Sequence, residues 1–427
     1  MGIILKNKLL TIYYIVLLCL LTPLFGVGDP PMAFRLVYCV AAIIPITFYN
    51  VKLFPVVMMV LFTIAKFGIG TPFIPTELYY YTFVFFIVYC ISKSKKPAIP
   101  LPHSIIWLSA LVLIVDFVTS MKISMYGFSL LTVLLFARYI QKSEMPNFSL
   151  FFSYLFIIVS VVISFEFLFT DRSYTIMLDT SEERVMWVDP NYLGGVIGMG
   201  CLVAFNLLMQ NFSKFFLRLV FAGVVAVSFI VLLYNGSRGA LLSVAISILY
   251  LFCVSDQKII YKVLLAMVLA TFLVFLYNND YFEIIEMRME NESGGGSGRL
   301  TIWENKLNAF NNEINPLRWI FGNGYEGGYA LGYINYNGGA GRGFHNDYLA
   351  HLCDYGIVGL CLFLSVMISP LKSVGFKCKM ANASILFLCV NCFTIEPMTL
   401  GMVIYFIFWL YAVSLADDYK KKSYGIC

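Results

Sequence analysis

Charged residues are scarce in this sequence: they make up 12% of its 427 residues, whereas hydrophobic residues make up 60%. A soluble domain typically carries about 25% charged residues. A chain with so few cannot cover its surface with groups that water solvates, so we exclude a soluble globular protein. The sequence also lacks a Gly-rich nucleotide-binding loop after a strand. This absence argues against chemistry driven by ATP or sugar nucleotides inside the cell.

Metal ligands are also poorly represented. There are three histidines, and none of the 11 cysteines lies in the long polar segment 278–344 or has metal-ligand spacing with a histidine. We therefore interpret the cysteines as small buried apolar residues and predict no metal site and no other cofactor. The net charge of +5 comes from short lysine-rich turns. Such turns indicate membrane topology rather than a nucleic-acid partner.

Long apolar runs occupy most of the chain. A membrane-spanning helix needs roughly 20 mostly apolar residues, and the backbone polar groups of a helix are satisfied within the segment. The sequence therefore predicts an all-α polytopic membrane protein with about 14 transmembrane helices, in a range of about 12–14. The predicted spans are 8–26, 31–49, 51–69, 76–93, 103–118, 122–139, 149–170, 190–210, 215–234, 238–255, 259–277, 346–369, 381–396 and 398–416. The first run also resembles a signal peptide, but the many later spans favour an uncleaved first helix.

Lysine and arginine lie on different sides of this predicted topology. With a cytoplasmic N-terminus, every inside turn carries a basic residue, and these turns hold sixteen lysines and two arginines. Positive charge in short loops favours the cytoplasmic side, so we expect both termini there. The outside segments hold three lysines and eight arginines: Arg35, Arg172, Arg184, Arg238, Arg288, Arg299, Arg318 and Arg342. Arginine is the residue that grips phosphate through a planar fork, so these arginines predict an anionic substrate outside, although some can pair with acidic residues of the loop.

The topology divides the chain into three parts. They are residues 1–277 with helices 1–11, residues 278–345 as a long extracytoplasmic loop, and residues 346–427 with helices 12–14 and a cytoplasmic C-terminal tail. Within the loop, Leu300, Trp303, Leu307 and Phe310 recur at helical spacing. This pattern predicts an amphipathic helix that lies on the membrane surface.

The candidate site residues lie in the outside segments. Arg238 stands at a predicted helix N-terminus, where free N–H groups favour anions, and Arg299 stands on the first turn of the loop helix. Arginines that hold a diphosphate can stabilise it as a leaving group, and a neutral His345 can take a proton from a sugar hydroxyl. Arg238 as a snorkelling residue and His345 as a structural residue are the alternatives. We predict His345, Arg238 and Arg299 as catalytic residues, and as substrate-binding residues Asn191, Tyr192, Arg184, Ser237, Trp303, Arg342 and Asn346.

A series of short motifs spans about residues 185–360. They are Asp189-Pro190-Asn191 with Gly194; Ser237-Arg238-Gly239-Ala240; Gly298-Arg299 with Trp303; Gly322-Asn323-Gly324; and His345-Asn346-Asp347-Tyr348-Leu349 followed by Gly356-Ile357-Val358-Gly359. Their order and spacing resemble the O-antigen ligase and polymerase superfamily. The resemblance implies a GT-C-like, metal-independent glycosyltransferase of lipopolysaccharide or capsule biosynthesis, whose donor glycan is carried on undecaprenyl diphosphate. It also implies that Arg238 and Arg299 bind the diphosphate and that His345 is the base.

The resemblance leaves several functions open. We favour a polymerase of lipid-linked repeat units, because fourteen spans fit polymerases better than the roughly twelve expected of ligases. An O-antigen ligase, a glycoprotein transferase and a flippase or transporter are the alternatives. Transport requires ionisable groups deep in the membrane, and the candidates Asp116, Glu166 and Glu396 are predicted near outside ends. The expected location is the bacterial inner membrane with an extracytoplasmic active site. The expected partners are membrane lipids, the glycan donor and acceptor, a chain-length regulator and a flippase.

Overall fold

Helices form all the secondary structure that the computed structural model describes. It describes residues 101–121, 123–140, 148–169, 190–210, 215–283, 286, 299–312, 315–325, 344–399 and 403–423. The helices are α1 (His103–Ser120), α2 (Met125–Ile140), α3 (Phe148–Phe169), α4 (Pro190–Gln210), α5 (Phe215–Tyr234), α6 (Arg238–Val254), α7 (Ile259–Asn278), α8 (Arg299–Asn311), α9 (Pro316–Phe321), α10 (Asp347–Val374), α11 (Lys379–Thr394) and α12 (Val403–Ser423). A 3-10 turn at Gly375–Lys377 follows α10.

Ten of the predicted spans fall on described residues, and each overlaps one of these helices. The first four predicted spans, from 8–26 to 76–93, lie outside the described residues. Among the described helices, five are long and apolar enough to cross a membrane: α1, residues 191–210 of α4, α5, α7 and residues 347–372 of α10. Helices α2, α3, α6 and α11 contain shorter apolar stretches. The described part of the chain is therefore that of an all-helical, polytopic membrane protein.

The chain divides into two compact units. The first comprises residues 1–98 and 138–235, and the second comprises residues 99–137 and 236–427. The loop helices α8 and α9 pack on α10, so the described part of the loop belongs to the second unit. The three parts predicted from the sequence follow membrane topology and stay a prediction.

The first unit packs α3, α4 and α5 through small and hydroxylated residues. A Cβ added to Gly200 on α4 would lie 2.2 Å from the Cβ of Ser160 on α3. The Ser160 hydroxyl donates to the Ile197 carbonyl at 3.1 Å and lies 3.1 Å from the hydroxyl of Ser228 on α5. Small residues bring membrane helices close together, and hydroxyls join them by hydrogen bonds.

In the second unit, α10 is the central helix and packs against α1, α8, α9, α11 and α12. It is broken at Gly356, whose backbone is left-handed with φ 68° and ψ −170°. A break leaves the last carbonyls of the first half-helix without partners in the helix. Loop residues supply the partners, because Asn323 N donates to Cys353 O at 3.2 Å and Gly324 N donates to Asp354 O at 2.8 Å.

Two glycines permit this contact between loop and helix. A Cβ on Gly322 would lie 2.1 Å from Asp354 O, and a Cβ on Gly356 would lie 2.2 Å from Ile320 O. Both glycines also have positive φ, which other residues rarely adopt. The Gly322-Asn323-Gly324 and Gly356 motifs of the sequence are therefore the two sides of one backbone contact.

Candidate functional site

The ends of several helices of the second unit meet at one place. Arg299 Nη1 at the start of α8 donates to the carbonyl of Thr394 at the end of α11, at 2.6 Å. Phe344 N, just before α10, donates to Glu396 Oε2 in the α11–α12 connection at 2.9 Å. Tyr325 N, after α9, donates to Asp116 Oδ1 near the end of α1 at 3.3 Å. These ends are the ones that the sequence places on the outside.

The two predicted diphosphate-binding arginines approach the same residue. Arg299 contacts Thr394 through its side chain, as described above. Arg238 opens α6, and a Cβ on the next residue, Gly239, would lie 2.3 Å from the hydroxyl oxygen of Thr394. The structure thus brings the side chain of Arg299 and the backbone beside Arg238 to one residue, although the two arginines are 61 positions apart in the sequence. The guanidinium of Arg299 is oriented by Thr394, and a guanidinium group is suited to binding phosphate.

His345 stands in a strained backbone conformation, with φ 50°. A left-handed conformation costs a residue other than glycine about 1–2 kcal/mol, so its neighbours must hold it. The Glu396 carboxylate accepts the backbone N–H groups of Phe344 and His345. On the other side, Trp303 Nε1 donates to the Phe344 carbonyl at 2.7 Å. The corner formed by Phe344 and His345 is thus anchored to α8 and to the α11–α12 connection, while His345 is half-buried.

Glu396 is a site residue that the sequence analysis treated only as a candidate for transport. Its carboxyl is 4% exposed. Burial, and secondarily the charge of Asp347, raises the pKa of Glu396 to about 7, while the backbone N–H donors oppose the rise. Glu396 therefore changes its charge near neutral pH while it holds the backbone of the predicted base.

Asp347 fixes the segment that carries Glu396. Its buried carboxylate accepts Met398 N at 3.1 Å, and Thr399 N and the Thr399 hydroxyl at 2.9 Å each. Asp347 begins α10 and follows His345 by two residues. The same carboxylate therefore ties the start of α10 to the connection that reaches back to Phe344.

The other two histidines of the chain do not share the position of His345. His351 is fully buried; its Nδ1 lies 2.6 Å from Asp347 O and its Nε2 lies 2.5 Å from the Tyr126 hydroxyl. A carbonyl only accepts, so Nδ1 donates and Nε2 accepts from Tyr126. Both nitrogens of a neutral ring are then occupied. His103 begins α1, at the end opposite Asp116. The role of His345 as the base stays a prediction.

Asp116 anchors the loop to the end of α1. It accepts Ser124 N through Oδ2, and through Oδ1 it accepts Tyr325 N and the Tyr355 hydroxyl, each at 3.3 Å. It thereby joins α1, the loop and the break in α10. Glu396 and Asp116 thus both accept backbone N–H groups in the second unit. Glu166 lies on α3 in the first unit.

Three predicted substrate-binding residues have structural contacts. Ser237 caps α6, since its hydroxyl accepts Ala240 N at 3.4 Å. Asn346 caps α10, because its side-chain oxygen accepts Tyr348 N and Leu349 N at 3.0 and 3.2 Å. Trp303 holds Phe344, as described above. These contacts bring backbone and base into position, and a role in binding substrate stays a prediction for all three.

The remaining predicted site residues are placed elsewhere or are not described. Asn191 and Tyr192 lie half-buried on the first turn of α4, in the first unit. Arg184 and Arg342 lie outside the described residues. Among the described residues, no group of three or more histidine, cysteine or acidic side chains is arranged to hold a metal ion.

The loop helix α8 packs one side against the protein and exposes the other. Leu300 is 58% exposed, whereas Lys306 and Phe310 are 4% and 1% exposed. The helix turns Trp303, Lys306 and Phe310 toward the protein, because Phe310 packs with Phe344, Ala350 and Cys353 in a small core. The contact of this helix with the membrane surface stays a prediction.

One protein-family model matches part of this chain. Residues 222–364 match the family model described as O-antigen ligase. This match supports the assignment of the chain to the O-antigen polymerase and ligase superfamily. The matched region includes the two arginines, the loop helices, His345 and the break in α10, whereas Asp116, Thr394 and Glu396 lie outside it. A glycosyltransferase-like enzyme that uses lipid-linked glycans in a membrane is the general activity of this superfamily. No curated protein matches the chain.

Proposed function

We propose that this protein polymerises oligosaccharide repeat units carried on undecaprenyl diphosphate, on the extracytoplasmic face of the bacterial inner membrane. The observation that carries the proposal is the arrangement of the second unit. Arg238 and Arg299 adjoin Thr394, and Glu396, two residues further on, holds the backbone of His345. The short segment from Thr394 to Glu396 thus contacts both Arg299 and the backbone of His345.

The proposed reaction is a direct displacement at the anomeric carbon of the donor. A hydroxyl of the acceptor glycan loses its proton to His345 and its oxygen forms a bond to the anomeric carbon. The bond from that carbon to the diphosphate oxygen breaks, and its electron pair leaves with the diphosphate. Arg238 and Arg299 stabilise the additional negative charge by fixed positive charge, so the proposal uses no metal.

A ligase is the second candidate, because the matching family model is described as O-antigen ligase. The two functions differ in the acceptor: a ligase transfers the finished glycan to lipid A-core, and a polymerase transfers it to another lipid-linked unit. The conversion of bound glycan to product uses the same residues in both. The acceptor therefore has to be identified from the product of the reaction.

The test is the surface polysaccharide of a strain that lacks this gene, separated on a gel beside the parent and a complemented strain. Loss of the long-chain ladder, with a single repeat unit still attached to the core, supports the polymerase. Loss of every attached unit, with long polymer building up on the lipid carrier, rejects the polymerase and supports the ligase. An unchanged profile contradicts both.

The catalytic assignment has its own test in the complemented strain. We expect His345→Ala to abolish the product while the protein still inserts in the membrane, because no base remains to take the hydroxyl proton. His103→Ala is the matched control and should restore the parental profile. A normally active His345→Ala protein would remove His345 from the mechanism.

A further inference from the structure

One face of α8 is directed at the corner that contains His345. The residues on this face are Arg299, Trp303, Lys306 and Phe310, which recur at intervals of four, three and four and therefore lie along one side of the helix. The first donates to Thr394, the second donates to Phe344, and the fourth packs in the core beside Phe344. Lys306 is the member of this face to which the proposed mechanism assigns no role.

Lys306 is unusual because it is a lysine with only 4% of its side chain exposed. Lysine is almost never fully buried unless its charge has a partner. The Lys306 ammonium lies over the Phe344 ring, 4.0 Å from its centroid, which is the geometry of a cation–π contact. Burial lowers the pKa of Lys306, and the nearby carboxylates of Asp354 and Glu396 oppose this effect by attracting the charge.

Phe344 is consequently held at three points. Its ring is covered by Lys306, its N–H is bound by Glu396, and its carbonyl is bound by Trp303. Lys306 acts on two of these points, because its charge also favours the ionised form of Glu396. The ionised carboxylate is the stronger acceptor for the N–H groups of Phe344 and His345.

We propose that Lys306 is a positioning residue for His345, which it holds through the Phe344 ring and the carboxylate of Glu396. The proposal rests on the proposed role of His345 as the base. It assigns to the long loop a second task besides supplying Arg299. The loop helix also fixes the orientation of the base, so Arg299 and His345 come into place in one docking step.

The groups that face this cluster come from four elements. Lys306 belongs to α8, Asp347 and Asp354 to α10, and Glu396 to the α11–α12 connection, while Asp116 of α1 acts on Asp354. Without the ammonium, Glu396 keeps its proton to a higher pH, since an opposite charge no longer favours its ionised form. The loss of activity on the acidic side of the pH profile should therefore begin at a higher pH.

The test compares Lys306→Met with Glu304→Gln in the purified full-length protein. Methionine keeps a long unbranched side chain without charge, and Glu304→Gln neutralises an exposed residue of the same helix. The probe is the lipid-linked glycan extracted from the deletion strain, and the initial rate of product formation is followed from about pH 5.5 to 8.5. We expect the rate of Lys306→Met to be lower by about tenfold or more. The acidic limb of its pH–rate profile, where the rate falls as the pH is lowered, should lie at a higher pH. Glu304→Gln should change neither.

Further variants separate positioning from structural support. Lys306→Arg keeps the charge and should leave the acidic limb in place, even where it lowers the rate. In a Glu396→Gln background, Lys306→Met should no longer move the limb, because the carboxylate through which it acts is gone. If Lys306→Met does not accumulate in the membrane, Lys306→Gln replaces it, since an amide can donate to the buried carboxylates.

The outcomes distinguish this proposal from the proposed function. If Lys306→Met has the wild-type rate and the wild-type acidic limb of the pH–rate profile while His345→Ala is inactive, the positioning role alone is overturned. A limb that still moves in the Glu396→Gln background overturns the route through Glu396. A fall in rate without any shift of the limb shows a structural role only. Normal activity of His345→Ala rejects the function on which the proposal rests.

Discussion

Thr394 is the residue that contacts the side chain of Arg299 and lies against the backbone beside Arg238. Its carbonyl accepts Arg299 Nη1, and its hydroxyl oxygen leaves no room for a Cβ on the residue that follows Arg238. The carbonyl orients the guanidinium of Arg299 and uses one of its five N–H donors. A planar fork held in this way is prepared to receive an anion.

We expect Arg299→Lys to reduce glycan transfer about tenfold or more, although the charge is retained. Lysine lacks the planar fork, so it cannot contact Thr394 and a phosphate in the same geometry. The measurement is the initial rate with lipid-linked glycan, at several donor concentrations. Arg318→Lys, the same change at an exposed loop arginine, is the control. Equal rates for the two variants would show that the fork of Arg299 is not used.

Glu396 should make the stability of the protein depend on pH. Its pKa of about 7 lies above the ordinary value of 4.5. The stability that it contributes is therefore complete below about pH 4.5 and is lost as the pH rises through about 7. From pH 6 to pH 8 this loss should be about 1 kcal/mol. Thermal unfolding in detergent should thus show a steeper decline for the wild type than for Glu396→Gln. Equal declines would contradict the assignment.

This pH dependence sets stability against function at one residue. The ionised carboxylate holds the backbone of His345 best, but the buried charge is the less stable form. Strained and poorly solvated groups often occur at functional sites, where the surrounding structure holds them in place. The left-handed backbone of His345 beside Glu396 fits this description.

Helix α10 is an element whose interruption is as important as its length. The break at Gly356 exposes carbonyl groups, and the segment Gly322–Gly324 of the loop binds them. Irregular backbone at membrane depth persists only where protein or water satisfies it. The loop therefore completes the helix, and the break fixes the loop against the second unit.

Replacement of Gly356 by alanine should destabilise the protein by about 2 kcal/mol or more. Its φ is 68°, and the new Cβ would lie 2.2 Å from Ile320 O and 2.6 Å from Phe321 N, which are backbone atoms and cannot move aside cheaply. Gly223→Ala on α5 is the control, since no atom lies within 4 Å of its Cβ. It should stabilise by up to about 1 kcal/mol. Equal unfolding temperatures of the two variants would show that the contact yields easily.

At the scale of the whole molecule, topology brings distant segments to the same side. The ends of α1 and α11, the starts of α6 and α10 and the loop helices lie together. Asp256, between α6 and α7, and Lys379, at the start of α11, form an ion pair at segments predicted to lie inside. Charge along the sequence and contacts in the structure therefore separate the same two sets of helix ends.

The predicted orientation can be checked by labelling. In a variant without native cysteines, Thr301→Cys on the exposed side of α8 should react with a membrane-impermeant maleimide in intact spheroplasts. Asp256→Cys, at a residue whose side chain is 93% exposed, should react only after the membrane is opened. The reverse pattern would place the candidate site in the cytoplasm and contradict the proposed function.

The sequence by itself determined which segments are helical and which polar residues to suspect. Apolar runs and flanking charges are local properties, so ten predicted spans overlap described helices. His345, Arg238 and Arg299 were also visible, because their residue types carry specific chemistry. The prediction that lysine-rich turns lie inside and arginine-rich segments lie outside the membrane used the same local information.

Only the tertiary structure decided what holds these residues. Glu396 lies 52 positions after Phe344, and no periodicity relates them. The sequence analysis assigned no role to Lys306, and the structure buries it on the side of α8 that faces Phe344. The reason is physical: a buried charge is stable only beside carboxylates and an aromatic ring that come from other elements, so its place depends on contacts between segments far apart in the chain.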